Sequence, residues 1–145
     1  MHRHLIVLVC LIVLFSGIPI ASAATAVTVY KSPTCECCTN YVQYLEKNGF
    51  TVSAINKDDM DAIKKRYGTA RAASCHTTLI NGYVVEGHVP VRAIRKMLRE
   101  KPGIIGISAP GMPQNSPGMG EEKPGTLTIY AIPKGNTELT VFSVE

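Results

Sequence analysis

Hydrophobic positions along the chain recur with two periods, and together they predict a succession of short strands and helices. Ala26-Val27-Thr28-Val29-Tyr30 alternates and is rich in β-branched residues, which predicts a strand. Lys31-Ser32-Pro33-Thr34 interrupts it. From about Cys37 to Asn48 the period lengthens to that of a helix, with Tyr41, Val42 and Leu45 on one face and Gly49 as its stop. Phe50 to Ile55 returns to strand character. Asp58 then caps a second helix carrying Met60, Ile63 and Tyr67 and stopped by Gly68. Beyond Arg71-Ala72-Ala73-Ser74, the strands His76–Ile80 and Tyr83–Val85 flank Asn81-Gly82, a preferred sequence for a tight hairpin turn. Pro90 opens a third helix, with Val91, Ile94 and Leu98 inward, running to Lys101.

Between Pro102 and Gly125, 11 of 24 residues are proline or glycine, a density that predicts a surface loop without regular structure. Leu127–Ile132 and Glu138–Val144 form a closing hairpin around Pro133-Lys134-Gly135-Asn136. The order β-α-β-α-β-β-α, with cysteines at the first strand-to-helix junction, predicts an α/β thioredoxin-like fold. It has a central mixed sheet with flanking helices, a Pro/Gly-rich loop and a C-terminal β-hairpin. The first strand–helix–strand unit should be a parallel pair with a right-handed crossover, and both hairpin strands should join the same sheet.

The first residues follow a different rule. Met1 to His4 carries one fixed positive charge, Leu5 to Phe15 is apolar throughout, and Ala21-Ser22-Ala23 has the small-x-small pattern of a cleavage site. This is a secretory signal peptide over 1–23, because the apolar run is shorter than the roughly 20 residues a spanning helix needs. Cys10 leaves with it. The mature chain, 24–145, is a single domain's worth of sequence without repeats, long enough to bury a core. Without Arg3 it holds 14 basic against 11 acidic residues. No basic run interleaves with aromatics, which excludes a nucleic-acid partner, and after cleavage nothing calls for a membrane. Arg92, Arg95, Lys96, Arg99 and Lys101 are the solvated face of the third helix.

Export changes what the cysteines mean. Four remain: Cys35, Cys37 and Cys38 in Thr34-Cys35-Glu36-Cys37-Cys38, and Cys75 before the hairpin. An even count in an oxidising compartment suggests disulfides, and because neighbouring Cys37 and Cys38 pair poorly, both remaining connectivities tie Cys75 to the cluster. Cys35 and Cys38 also form a C-x-x-C pair at a helix start, where free N–H groups and the helix dipole favour thiolate, as in a thiol-disulfide oxidoreductase. Two features weigh against that use. Cys37 is a third thiol inside the pair, and Ser74-Cys75-His76-Thr77 has no proline where redox members of the superfamily usually place a cis-proline. In a thioredoxin-like arrangement Cys75 sits opposite the other three. Four converging thiolates are a soft-metal site. Cys37 and Cys38, projecting about 100° apart on a helix, chelate one ion poorly but can bridge two, which suits Cu(I).

The other donors are weaker candidates. His76 and His88 read individually as hydrogen-bonded structural histidines, and alternation turns His76 away from the face of Cys75 if both lie on a regular strand. Met112 and Met119 either pin the proline-rich loop to the core or supply thioethers that cover or transfer Cu(I).

Taken together, Cys35-x-Cys37-Cys38, Ser74-Cys75-His76-Thr77, Gly82-Tyr83-x-x-Glu86-Gly87-His88-Val89-Pro90, and Pro110-Gly111-Met112-Pro113 through Ser116-Pro117-Gly118-Met119 resemble the CopG-like family of exported copper-resistance proteins. The resemblance runs in order from about Val27 to Met119. It implies a bacterial periplasmic protein that holds Cu(I), more than one ion per chain, on Cys35, Cys37, Cys38 and Cys75. It also implies exchange of copper ions with periplasmic copper-efflux or copper-chaperone proteins, and a part in copper redox handling. Two positions depart from the usual pattern, where Glu36 and Asn115 stand in place of glycines.

Overall fold

The computed structural model describes residues 24–135 and 137–145. The signal peptide assigned to 1–23, and Asn136 of the closing turn, lie outside the described residues. The elements are β1 (Thr25–Lys31), α1 (Glu36–Lys47), β2 (Phe50–Asn56), α2 (Met60–Tyr67), a single 3-10 turn (Ala70–Ala72), β3 (Thr77–Ile80), β4 (Tyr83–Glu86), α3 (Val91–Glu100), β5 (Ile104–Ser108), β6 (Thr128–Pro133) and β7 (Thr140–Val144). All seven strands lie in one mixed sheet, in the order β2-β1-β3-β4-β5-β6-β7. The α/β class, the parallel β1–β2 pair and the hairpin β3–β4 are as the hydrophobic pattern predicts.

The core follows from the strand and helix periods. Val27 and Val29 of β1 face the same way, as residues two apart in a strand must, and meet Tyr41 and Leu45 of α1 with Ile94 and Met97 of α3. Tyr30 points to the opposite face and stacks on Tyr67 of α2, ring centroids 5.8 Å apart. The N-caps of two helices each sit one residue from expectation. Asp59, not Asp58, caps α2, accepting from Ala62 N–H at 2.9 Å. Cys35 itself caps α1, its sulfur accepting from Cys38 N–H at 3.3 Å.

The proline- and glycine-rich stretch requires a larger correction, because it contains β5. Ile104–Ser108 runs parallel to β4 and antiparallel to β6, so it ties the closing hairpin into the main sheet. The residue that made this segment look irregular is what lets it pack. Gly106 pairs with Val84, and a Cβ at Gly106 would overlap the Val84 carbonyl group and amide nitrogen.

At the far margin of the sheet, β7 is latched by α3. A bulge leaves Phe142 unopposed on β6. Lys96 reaches from α3 to donate to the Phe142 carbonyl at 3.1 Å, its ammonium 4.2 Å from the ring centroid, and Arg92 pairs with Glu145 at 2.5 Å. The remaining basic residues of that helix, Arg95, Arg99 and Lys101, are exposed as expected.

Candidate metal centre

Antiparallel pairing of β1 with β3 brings the cysteines together. Tyr30 is opposite Thr77, so the chain leaving β1 and the chain entering β3 are level with each other. The first carries Cys35 into the α1 N-terminus and the second carries Cys75. The sulfurs of Cys35, Cys37, Cys38 and Cys75 all lie within 4.8 Å of one another. The predicted opposition of Cys75 to the other three is therefore present. Cys38 faces inward and is fully buried, while Cys35, Cys37 and Cys75 are half-buried. Glu36 is exposed and takes no part in the group.

Cys35 and Cys38 are joined in a disulfide, and Cys37 and Cys75 are free thiols. This differs from the stapled alternatives, which tie Cys75 covalently to the cluster. Cys37 Sγ is 3.5 Å from Cys35 Sγ. Burial, and then the neighbouring Cys37, push the Cys75 thiol up to about 11, so it holds its proton at neutral pH.

Both histidines belong to this site, which corrects the expectation that alternation carries His76 away. That argument holds only if Cys75 and His76 both lie on a regular strand, but the chain bends at Cys75 and β3 begins only at Thr77. His76 Nδ1 is 3.4 Å and His88 Nε2 is 2.9 Å from Cys75 Sγ, and the three residues form a second group of potential ligands. His88 Nδ1 donates to the Pro117 carbonyl at 2.7 Å, since a carbonyl only accepts. Its Nε2 lone pair therefore faces the Cys75 thiol. His76 Nε2 has no hydrogen-bond partner among the described residues. Burial holds both imidazoles below the usual histidine range, His76 strongly so, with His88 and Lys64 adding to its shift. Neutral imidazole is the form that binds metal.

The loop that supplies Pro117 passes beside the cysteines. Gly111 pairs with Ser74, and Gly118 lies against the backbone of Cys37 to Tyr41. Met112 follows the first contact and is 54% exposed; Met119 follows the second and is half-buried. Both methionines thus follow directly on residues that touch the segments carrying the cysteines.

Sequence reasoning missed three side chains. Tyr41, assigned only to the core, donates to the Val89 carbonyl at 2.7 Å and floors the site, its ring centroid 4.5 Å from that of His76 and 5.3 Å from that of His88. Glu86 is fully buried and ion-paired at 2.8 Å with Lys64, also buried. The available signal was a carboxylate ending the otherwise apolar strand Tyr83-Val84-Val85.

The family model described as "Protein of unknown function, DUF411" matches residues 72–119. No curated protein matches the chain. Two solved structures are similar to it over nearly their full length. One, "Copper resistance protein copG- Form 2", is 36% identical, with 83% of this chain and 98% of that chain covered and a TM-score of 0.74. The other, "Copper resistance protein copG- Form 1", is 35% identical, with 84% and 98% covered and the same TM-score.

Proposed function

The chain belongs to the family of CopG copper resistance proteins, and from that premise we propose that its four mature cysteines, once reduced, hold Cu(I) as a multinuclear thiolate cluster in the periplasm. Residues 24–145 are one exported domain of thioredoxin-like type that protects the cell from copper by sequestering it or handling its redox state. The carrying observation is that four soft sulfurs, brought in by two separate segments, lie within 4.8 Å of one another. Soft, polarisable donors at that spacing suit Cu(I), with shared thiolates bridging ions. His88 and His76 extend the donor set from the Cys75 side, and Met112 and Met119 are thioethers for transfer to periplasmic copper-efflux or copper-chaperone proteins.

Anaerobic titration of the fully reduced protein with Cu(I) tests this reading. More than one copper per chain is expected, and the disulfide form is expected to bind far less, because two of its four sulfurs are already bonded to each other. Failure of the reduced protein to take up copper tightly overturns the proposal.

Uptake should also be proton-linked. Copper displaces the protons held on thiols, including the Cys75 proton that burial retains at neutral pH. Apparent affinity should therefore weaken between about pH 8 and pH 6, with protons released on loading. Competition with a chelator at several pH values and a pH-indicator dye measure both. Affinity that is flat with pH contradicts thiol ligation.

One observation favours a second reading. The Cys35–Cys38 disulfide sits at the N-terminus of α1 with Cys35 half-buried, which is the arrangement a thiol-disulfide oxidoreductase uses. Turnover of a protein disulfide substrate, absent tight copper uptake, selects it. The free Cys37 thiol beside Cys35 weighs against it, because it competes for any mixed disulfide formed there.

A further inference from the structure

We propose that Glu86 is a positioning residue that sets the Cys75 thiol against the α1 cysteines. The purpose of that placement rests on the copper reading; the placement itself does not. Cys75 and His76 form a two-residue arch between Ser74 and Thr77, and the Glu86 carboxylate grips both feet of it. Oε1 accepts from Ser74 N–H at 2.9 Å, and Oε2 accepts from Thr77 Oγ1 at 2.7 Å. Lys64 Nζ, 2.8 Å from Oε1, neutralises the charge from the α2 side. Glu86 and Thr77 are cross-strand partners, so the sheet itself fixes one foot relative to the carboxylate.

Neighbouring contacts complete the clamp. Ser74 Oγ donates to the Gly111 carbonyl at 2.5 Å, and Gly111 N–H donates to the Ala73 carbonyl at 2.9 Å. Glu86 is followed by Gly87, where a Cβ would overlap the Ser74 side chain, so this approach requires glycine. The segment has no cis peptide bond to shape it. Its path is set by side-chain and backbone hydrogen bonds converging from β4 and the loop, with Lys64 of α2 pairing with the Glu86 carboxylate.

Stability alone does not call for this carboxylate. A buried ion pair replaced as a pair by apolar side chains is often no less stable. What an apolar side chain lacks is an acceptor for Ser74 N–H. That comparison defines the test. Lys64→Met/Glu86→Gln and Lys64→Met/Glu86→Leu both discard the buried charges, but only the glutamine variant retains an oxygen for Ser74 N–H and a polar partner for Thr77.

Two readouts are taken. The first is Cu(I) affinity and stoichiometry of the reduced protein. The second needs no metal: the rate at which N-ethylmaleimide alkylates Cys75 when Cys35, Cys37 and Cys38 are serine. The glutamine variant should match the parent in both. The leucine variant should lose roughly 10–100-fold in Cu(I) affinity, as loss of an orienting outer partner does. Its Cys75 should be alkylated at least about tenfold faster, since thiol reactivity follows exposure and environment. A folded leucine variant with the parent's alkylation rate overturns the proposal. Should that variant not fold, Thr77→Val removes one foot alone. Faster alkylation there supports the proposal, and an unchanged rate overturns it. If the unsubstituted reduced protein takes up no Cu(I), the copper reading falls, and the alkylation rates still decide whether Glu86 positions Cys75.

Discussion

Replacing Cys75 by serine should reduce copper uptake by the reduced protein from several ions per chain to at most one, with any remaining affinity lower by at least about a hundredfold. Loss of a residue that merely orients a ligand already costs roughly 10–100-fold, and Cys75 is proposed as a ligand itself. Its position explains why its loss outweighs that of any one α1 cysteine. Cys35, Cys37 and Cys38 come from one helix start, and only Cys75 approaches from the other segment to close the group. Serine offers a hard hydroxyl in place of a soft sulfur, and the remaining three thiols lose the sulfur that both histidines face. Anaerobic titration with Cu(I), read against a competing chelator, measures the effect. Full stoichiometry in Cys75→Ser would mean that the α1 cysteines suffice and that the two-segment site is wrong.

Gly106→Ala should be the most damaging single methyl group on the sheet. The added Cβ would run into the backbone of Val84 rather than into a side chain that could turn aside, so β4 and β5 must separate. Overpacking of a fixed interior costs about 1–3 kcal/mol and sometimes more, and this contact is with main chain. We expect a loss of about 3 kcal/mol and a melting temperature lower by more than about 10 °C for a domain of this size. Thermal and denaturant unfolding of the variant check it. A change below about 1 kcal/mol would mean that β4 and β5 tolerate separation at this point.

The same glycine shows what sequence reading could and could not reach. Strands such as Ala26–Tyr30 declared themselves because nothing interrupts their alternation. Ile104-Ile105-Gly106-Ile107 carries the same β-branched signal, but it sits among prolines and glycines whose density pointed to loop. A glycine that breaks a strand and a glycine demanded by a neighbouring backbone look identical until the neighbour is known. In the site, the three cysteines of α1 were legible from spacing alone. Cys75 was legible only through the predicted order of elements. His76 was misplaced because alternation applies only if the strand extends back through Cys75, where the chain instead bends. Glu86 was missed because its meaning depends on Lys64 and Ser74, partners from α2 and from the segment before β3, which no local pattern connects to β4.

The bulge at Phe142 has a consequence for the molecule in a crowded compartment. An outermost strand with a straight row of free amides and carbonyls is a template on which a second chain can add, and Thr140–Val144 contains neither charge nor proline to discourage it. Val141 and Val144, 61% and 56% exposed, would make such an addition adhesive. The unopposed residue bends that row out of register, and the Lys96 ammonium occupies the Phe142 carbonyl beside it. Straightening this strand, or removing the lysine that guards it, would thus trade a self-limiting sheet for one that invites polymerisation, independently of anything that happens at the sulfurs.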